Sequence, residues 1–123
     1  MKWDYEFDVV VVGSGNGALT SALCSHDGGA KTLVIEKSDQ YGGTSATSGG
    51  GVWIPNNRYA KAENVDDSDQ DARDYIKSVS PEGMIKDELV ETYIAEGPKM
   101  IDYLHENSQV KYRNLPHYPD YFP

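Results

Sequence analysis

The sequence predicts an α/β fold that begins with a strand–helix–strand unit on an incomplete parallel sheet and continues as a mainly helical segment. Two observations predict this fold. Two short runs rich in β-branched residues, 7–12 and 31–36, flank a segment of small and apolar residues that follows a cluster of glycines. Further along the chain, apolar residues recur at helical spacing. We therefore divide the 123 residues into 1–54 and 55–123.

The first part reads as one βαβ unit. Residues 7–12 end at a glycine and are typical of a parallel strand buried on both faces. Residues 18–24 suit a helix packed on a sheet, and residues 31–36 form the second strand. The crossover should be right-handed. Because a sheet usually has about five strands, two convincing strands indicate an incomplete domain.

The second part predicts three helices. Ala72, Tyr75, Ile76 and Val79 share one face after a Ser68-x-x-Asp71 sequence that resembles a capping box. Leu89, Val90, Tyr93 and Ile94 mark a second helix, which Gly97-Pro98 should interrupt before a short third one containing Met100, Ile101 and Leu104. Residues 110–113 alternate like an edge strand, and the proline-rich tail, 115–123, should be irregular.

Composition limits the function classes. A net charge of −9 argues against binding to nucleic acid, which needs a basic surface. The longest apolar run, residues 9–12, is far too short for a membrane helix. Acidic residues near the N-terminus leave no export signal, so we expect an intracellular, cytoplasmic protein. The single Cys24 excludes an internal disulfide and a cysteine-rich metal site, and we expect it to be buried by helix packing.

A glycine motif lies in the turn between the first strand and the first helix. Gly13-x-Gly15-x-x-Ala18 has the context that a dinucleotide-binding fingerprint requires. Gly13 would permit the tight turn, Gly15 the approach of a pyrophosphate, and Ala18 close packing of helix on strand. Backbone amides at the helix start, with the helix dipole, would hold the phosphates. A glycine turn that binds nothing is the alternative.

Glu36 ends the second strand, 18 residues after Ala18. An acid near this position accepts hydrogen bonds from a ribose 2′-hydroxyl and repels a 2′-phosphate. NADP is therefore disfavoured, although the adjacent Lys37 weakens the exclusion. On this feature alone, FAD and NAD both remain open.

The loop at residues 40–51 is rich in glycine, serine and threonine. With Glu36, its Gly42-Gly43-Thr44-Ser45 sequence and the following residues 48–56 resemble the fumarate reductase and 3-oxosteroid dehydrogenase superfamily of FAD flavoproteins, and most of all the 3-oxosteroid 1-dehydrogenase branch. The resemblance implies a Rossmann-like FAD-binding domain with non-covalent FAD. The predicted cofactor-binding residues are Gly13, Gly15, Asn16, Gly17, Ala18, Glu36, Lys37, Gly42, Gly43, Thr44, Ser45, Ser48, Gly49, Gly50 and Gly51.

The same resemblance extends to residues 118–122. It implies that Tyr118 lines the substrate pocket and that Tyr121 assists the base that removes a proton beside the ketone of a 3-oxosteroid. The family's main base, its ketone-polarising groups and its second FAD motif have no counterpart in this sequence, and the electron acceptor stays undetermined. Two alternatives remain: a fumarate reductase-like flavoprotein, and a dinucleotide-binding module without catalysis.

Overall fold

The computed structural model describes residues 2–118. The chain divides into two compact units, Met1–Val52 and Trp53–Pro123. Within the described residues, the first unit contains two strands, a helix and a glycine-rich loop, and the second contains three helices.

The first unit is the expected βαβ unit. Strand β1 (Val9–Val12) pairs in parallel with strand β2 (Thr32–Ile35), with Val9 opposite Thr32 and Val12 opposite Ile35. Helix α1 (Asn16–Asp27) connects the strands and packs against both. A 3-10 turn, Gly43–Thr47, follows in the glycine-rich loop. The predicted α/β class and the incomplete parallel sheet are confirmed, because the described residues contain two strands.

Two predictions about burial in this unit are wrong. Val10 and Val12 are 53% and 78% exposed, whereas Val9 and Val11 are half-buried, so β1 is covered on one face. Within residues 2–118, the two-stranded sheet packs against α1 alone among the helices of this unit, which leaves the other face open. Cys24 is exposed, and none of the residues of α1 is buried.

The second unit begins with two capped helices. The Asn57 side chain caps α2 (Arg58–Ala62) by accepting hydrogen bonds from two backbone amides of the first turn. The Ser68 hydroxyl caps α3 (Asp69–Val79) by accepting from the Asp71 amide at 3.1 Å, so the predicted helix start is confirmed. Each cap satisfies an amide that has no partner within its own helix.

The third helix of this unit, α4 (Asp87–Asn107), is continuous. The predicted interruption at Gly97-Pro98 is wrong. Pro98 removes one backbone hydrogen bond, but the buried positions continue through it at alternating spacings of four and three; these are Val90, Ile94, Gly97, Ile101 and Leu104. Gly97 faces Ile54, whose Cγ2 would lie 3.1 Å from an added Cβ. Burial of this face outweighs the local break.

The core of the second unit lies between α3 and α4, where Ala72, Val90 and Ile94 pack with Ile76. The predicted edge strand at residues 110–113 is absent from the structure, because no neighbouring strand of the described chain pairs with it. The Tyr112 amide donates instead to the Tyr59 hydroxyl at 3.2 Å. Residues 115–118 are irregular, as expected.

Candidate functional site

The turn after β1 depends on Gly13. Its φ is +97°, a backbone conformation that side chains rarely allow. Its amide donates to the Ile35 carbonyl at 2.7 Å, so the turn begins beside the end of β2. Gly15 then adopts extended backbone, with φ −71° and ψ 175°, as the N-cap of α1. The carboxyl ends of both strands and the start of the helix thus meet at one edge.

Ser14 connects the turn to the residue after β2 and to the glycine-rich loop. It is only 3% exposed. Its hydroxyl donates to Glu36 Oε2 at 2.5 Å and accepts from the Gly42 amide at 2.9 Å. Sequence reasoning missed Ser14, since its partners are 22 and 28 residues away. The available signal was a small hydroxyl residue between the two glycines of the fingerprint.

Glu36 is half-buried at the end of β2, and both of its carboxylate oxygens accept hydrogen bonds. The Ser14 hydroxyl, and after it the Ser38 amide, lower the pKa of Glu36, against a smaller opposing effect of burial. The carboxylate is therefore charged at neutral pH. Each oxygen retains a further lone pair that can accept a hydroxyl proton.

Gly42 is required on two grounds. Its φ of +104° disfavours any side chain, and an added Cβ would lie 2.6 Å from the Ala46 Cβ. Gly43 brings the loop against the turn, because a Cβ there would lie 3.8 Å from the Gly15 Cα. The glycine-rich loop and the fingerprint turn are therefore in close backbone contact.

The start of α1 receives a cap from this loop. Gly15 has no side chain to cap with, and Ser45 Oγ accepts from the Asn16 amide at 3.1 Å. Gly17 follows in the first turn, and among the described residues no atom lies within 4 Å of an added Cβ there. Ala18 is half-buried beneath it. The helix start thus presents backbone amides beside open space.

The remaining predicted residues are less closely tied to the turn. Within the loop, the Thr44 carbonyl accepts from the Thr47 hydroxyl at 2.9 Å, and the Ser48 hydroxyl accepts from the Gly50 amide at 3.1 Å. Lys37 and the glycines at 49–51 are exposed. Tyr118 belongs to the second unit and is 65% exposed, and Tyr121 lies outside the described residues.

Comparison with known proteins decides the family. The FAD binding domain family matches residues 8–119. This chain belongs to the FAD binding domain family. Its match covers both the fingerprint turn and the glycine-rich loop, and it agrees with the resemblance that the sequence motifs indicated.

The chain is also similar in sequence to two 3-oxosteroid 1-dehydrogenases. The chain is 42% identical over 118 residues, or 96% of its length, to the 3-oxosteroid 1-dehydrogenase of Mycolicibacterium smegmatis. It is 41% identical over 120 residues, or 98% of its length, to the 3-oxosteroid 1-dehydrogenase of Comamonas testosteroni. It spans 21% of the length of each of these relatives.

A solved structure shows the same arrangement. The 3-ketosteroid delta1-dehydrogenase of Sterolibacterium denitrificans, in complex with 1,4-androstadiene-3,17-dione, superposes with a TM-score of 0.74 at 44% identity. The match covers 82% of this chain and 17% of the solved one. The fold of this chain therefore matches that of one part of a solved steroid dehydrogenase.

The donor set of the turn fits FAD. A pyrophosphate is held by backbone amides at a helix start, and ribose hydroxyls are held by a carboxylate. The structure provides the amides at the start of α1, and it provides the charged carboxylate of Glu36. Among the described residues, no atom fills the space beside Gly13 or Gly17.

No helix within residues 2–118 is both long enough and apolar enough to cross a membrane.

Proposed function

We propose that this chain is the FAD-binding part of an oxidoreductase that dehydrogenates 3-oxosteroids between carbons 1 and 2. The observation that carries the proposal is 42% identity, across 96% of the chain, to a 3-oxosteroid 1-dehydrogenase. In this proposal residues 1–54 bind the cofactor, and residues 55–123 form a helical segment that begins the wall of the substrate pocket. The protein acts in the cytoplasm.

The turn residues would hold the phosphates of FAD. Gly13 and Gly15 keep the backbone free of side chains where a pyrophosphate approaches, and Asn16, Gly17 and Ala18 follow in the first turn of α1. The Gly17 and Ala18 amides lie at the positive end of the helix dipole, beside the Asn16 amide that donates to Ser45 Oγ. A chain with a net charge of −9 thereby binds an anion without a basic surface.

Glu36 would bind the adenosine ribose. Its carboxylate is charged, and a hydroxyl of the ribose can donate to it. A 2′-phosphate in the same place would meet a negative charge, so the site favours FAD over NADP. Lys37 is next to Glu36 and is exposed, and its positive charge would not repel a phosphate group.

The glycine-rich loop would lie against the flavin and ribityl part of the cofactor. Backbone without side chains, at residues 42–43 and 49–51, allows a flat ring to approach closely. Thr44, Ser45 and Ser48 offer neutral hydroxyl groups for hydrogen bonds. When bound, FAD supplies the redox chemistry as acceptor of the hydride.

The steroid would meet the aromatic residues near the end of the chain. By resemblance to the steroid dehydrogenases, Tyr118 contacts the substrate and Tyr121 assists removal of a proton beside the ketone. A hydroxyl group in that role donates a hydrogen bond to the proton-abstracting group and holds it in place. The main base and the groups that polarise the ketone are further residues of the whole enzyme.

The test is to follow the steroid itself. Protein that contains this segment is purified with its cofactor and mixed with 4-androstene-3,17-dione and an artificial electron acceptor. We expect 1,4-androstadiene-3,17-dione, the compound bound in the solved relative, with two hydrogens passed to the acceptor. Reduction of fumarate without oxidation of the steroid would contradict the proposed substrate.

A further inference from the structure

Ser14 lies at the centre of the candidate site, although no fingerprint position falls on it. It is the one polar or charged residue of the described chain that is fully buried, at 3% exposure. A buried hydroxyl that accepts from a backbone amide has its donor proton directed away from that amide, toward its second partner. Here the donor bond goes to Glu36 and the acceptor bond comes from Gly42.

The two bonds connect groups with different tasks in FAD binding. Glu36 directly follows β2, and Gly42 lies in the glycine-rich loop directly before the 3-10 turn. A glutamate side chain has several rotatable bonds, so a carboxylate at a strand end can take many orientations. The bond from Ser14 to Oε2 and the bond from the Ser38 amide to Oε1 together select one of them.

We propose that Ser14 is a positioning residue for FAD, which orients the Glu36 carboxylate toward the adenosine ribose and holds the glycine-rich loop against the same edge. This inference rests on the proposed function. Ser14 acts through Glu36 and the loop, since its own hydroxyl is already engaged on both sides. Removal of the hydroxyl takes away the acceptor of the Gly42 amide and one of the two bonds that orient the Glu36 carboxylate.

The experiment is a double-mutant cycle on the purified chain, with the dissociation constant of FAD measured from flavin fluorescence. The variants are Ser14→Ala, Glu36→Ala and the two combined, and Ser21→Ala is the matched control. Ser21 is an exposed serine of α1 whose hydroxyl donates to the Gly17 carbonyl of its own helix. Loss of a hydrogen bond to a charged group should weaken FAD binding at least about tenfold in Ser14→Ala.

The cycle separates positioning from a general structural role. If Ser14 acts through Glu36, Ser14→Ala should weaken binding by no more than about threefold once Glu36 is already alanine. The positioning role would be overturned if the two substitutions raised the dissociation constant of FAD independently, so that their effects multiplied in the double variant. It would also be overturned if Ser14→Ala bound FAD as tightly as the wild type. Either result would leave the proposed function intact. A wild-type chain that binds no FAD would contradict the proposed function itself.

A second measurement covers the case in which Ser14→Ala does not fold. The carboxyl carbon of Glu36 is followed by NMR in the wild-type chain as the pH is lowered. We expect it to titrate below the ordinary glutamate value of about 4.3, because the Ser14 hydroxyl donates to it. Titration at or above that value would show that the hydrogen bond is absent in solution, and would overturn the inference.

Discussion

The amide of Asn16 donates to the hydroxyl of Ser45 at 3.1 Å, across 29 residues of sequence. Helix α1 is therefore capped by the glycine-rich loop and not by the residue before it, since Gly15 has no side chain. The first turn of the helix and the loop form one structural element. The same bond places a neutral hydroxyl beside the amides that would hold the phosphates of FAD.

Ser45→Ala should destabilise the chain by about 1 kcal/mol, the usual loss when a helix cap is removed. The measurement is urea-induced unfolding followed by circular dichroism, with Ser21→Ala as the control. Equal unfolding midpoints for Ser45→Ala and the wild type would show that the loop does not cap α1 in solution.

Gly42→Ala should have a larger effect. The left-handed conformation costs a non-glycine residue about 1–2 kcal/mol, and the close approach to Ala46 adds to this loss. We expect a loss of about 2 kcal/mol or more in the free energy of unfolding. Gly49→Ala is the matched control, because Gly49 has ordinary φ and, among the described residues, open space around it. Similar losses in both variants would contradict the geometry of the loop.

The stability of the chain should depend on the charge of Glu36. Hydrogen bonds from Ser14 and Ser38 lower its pKa in the folded state. Stabilisation by Glu36 is therefore present above the unfolded value of about 4.3 and is lost as pH falls through the lower folded value. The free energies of unfolding of the wild type and Glu36→Gln are measured from about pH 2 to 7, the range in which carboxylates titrate. The two free energies should converge at the acidic end. A constant difference would contradict this account.

Tyr121→Phe tests the proposed catalytic tyrosine in protein that contains the whole active site. Loss of a hydroxyl that assists proton removal should lower kcat by about a hundredfold and change KM little. Tyr118→Phe is the comparison, since a pocket aromatic without its hydroxyl should retain most of kcat. Unchanged turnover in Tyr121→Phe would remove this residue from the mechanism.

The local part of the fold followed from sequence. The strands around α1 and the cap at Ser68 are set by short-range patterns, and the structure has them where expected. The predicted break at Pro98 was wrong. Burial of one face stabilises α4 along its whole length, and a local sequence pattern does not show that burial. The exposure of Cys24 and Val12 likewise depends on what packs against the sheet.

The sequence predicted the kind of site, a dinucleotide-binding turn. It did not predict the hydrogen bonds that connect the residues of the site. Gly13, Gly15 and Glu36 follow from the fingerprint and its spacing. Ser14 does not, because its role arises only when residues 22 and 28 positions away meet it in the folded chain. Hydrogen bonds over such separations are a property of the tertiary structure.

The most direct test of the central claim is the visible absorption spectrum of the purified chain, followed by denaturation and identification of the released cofactor. We expect a flavin spectrum, either as purified or after addition of FAD, and release of intact FAD on denaturation. A colourless chain that also fails to bind added FAD would contradict it.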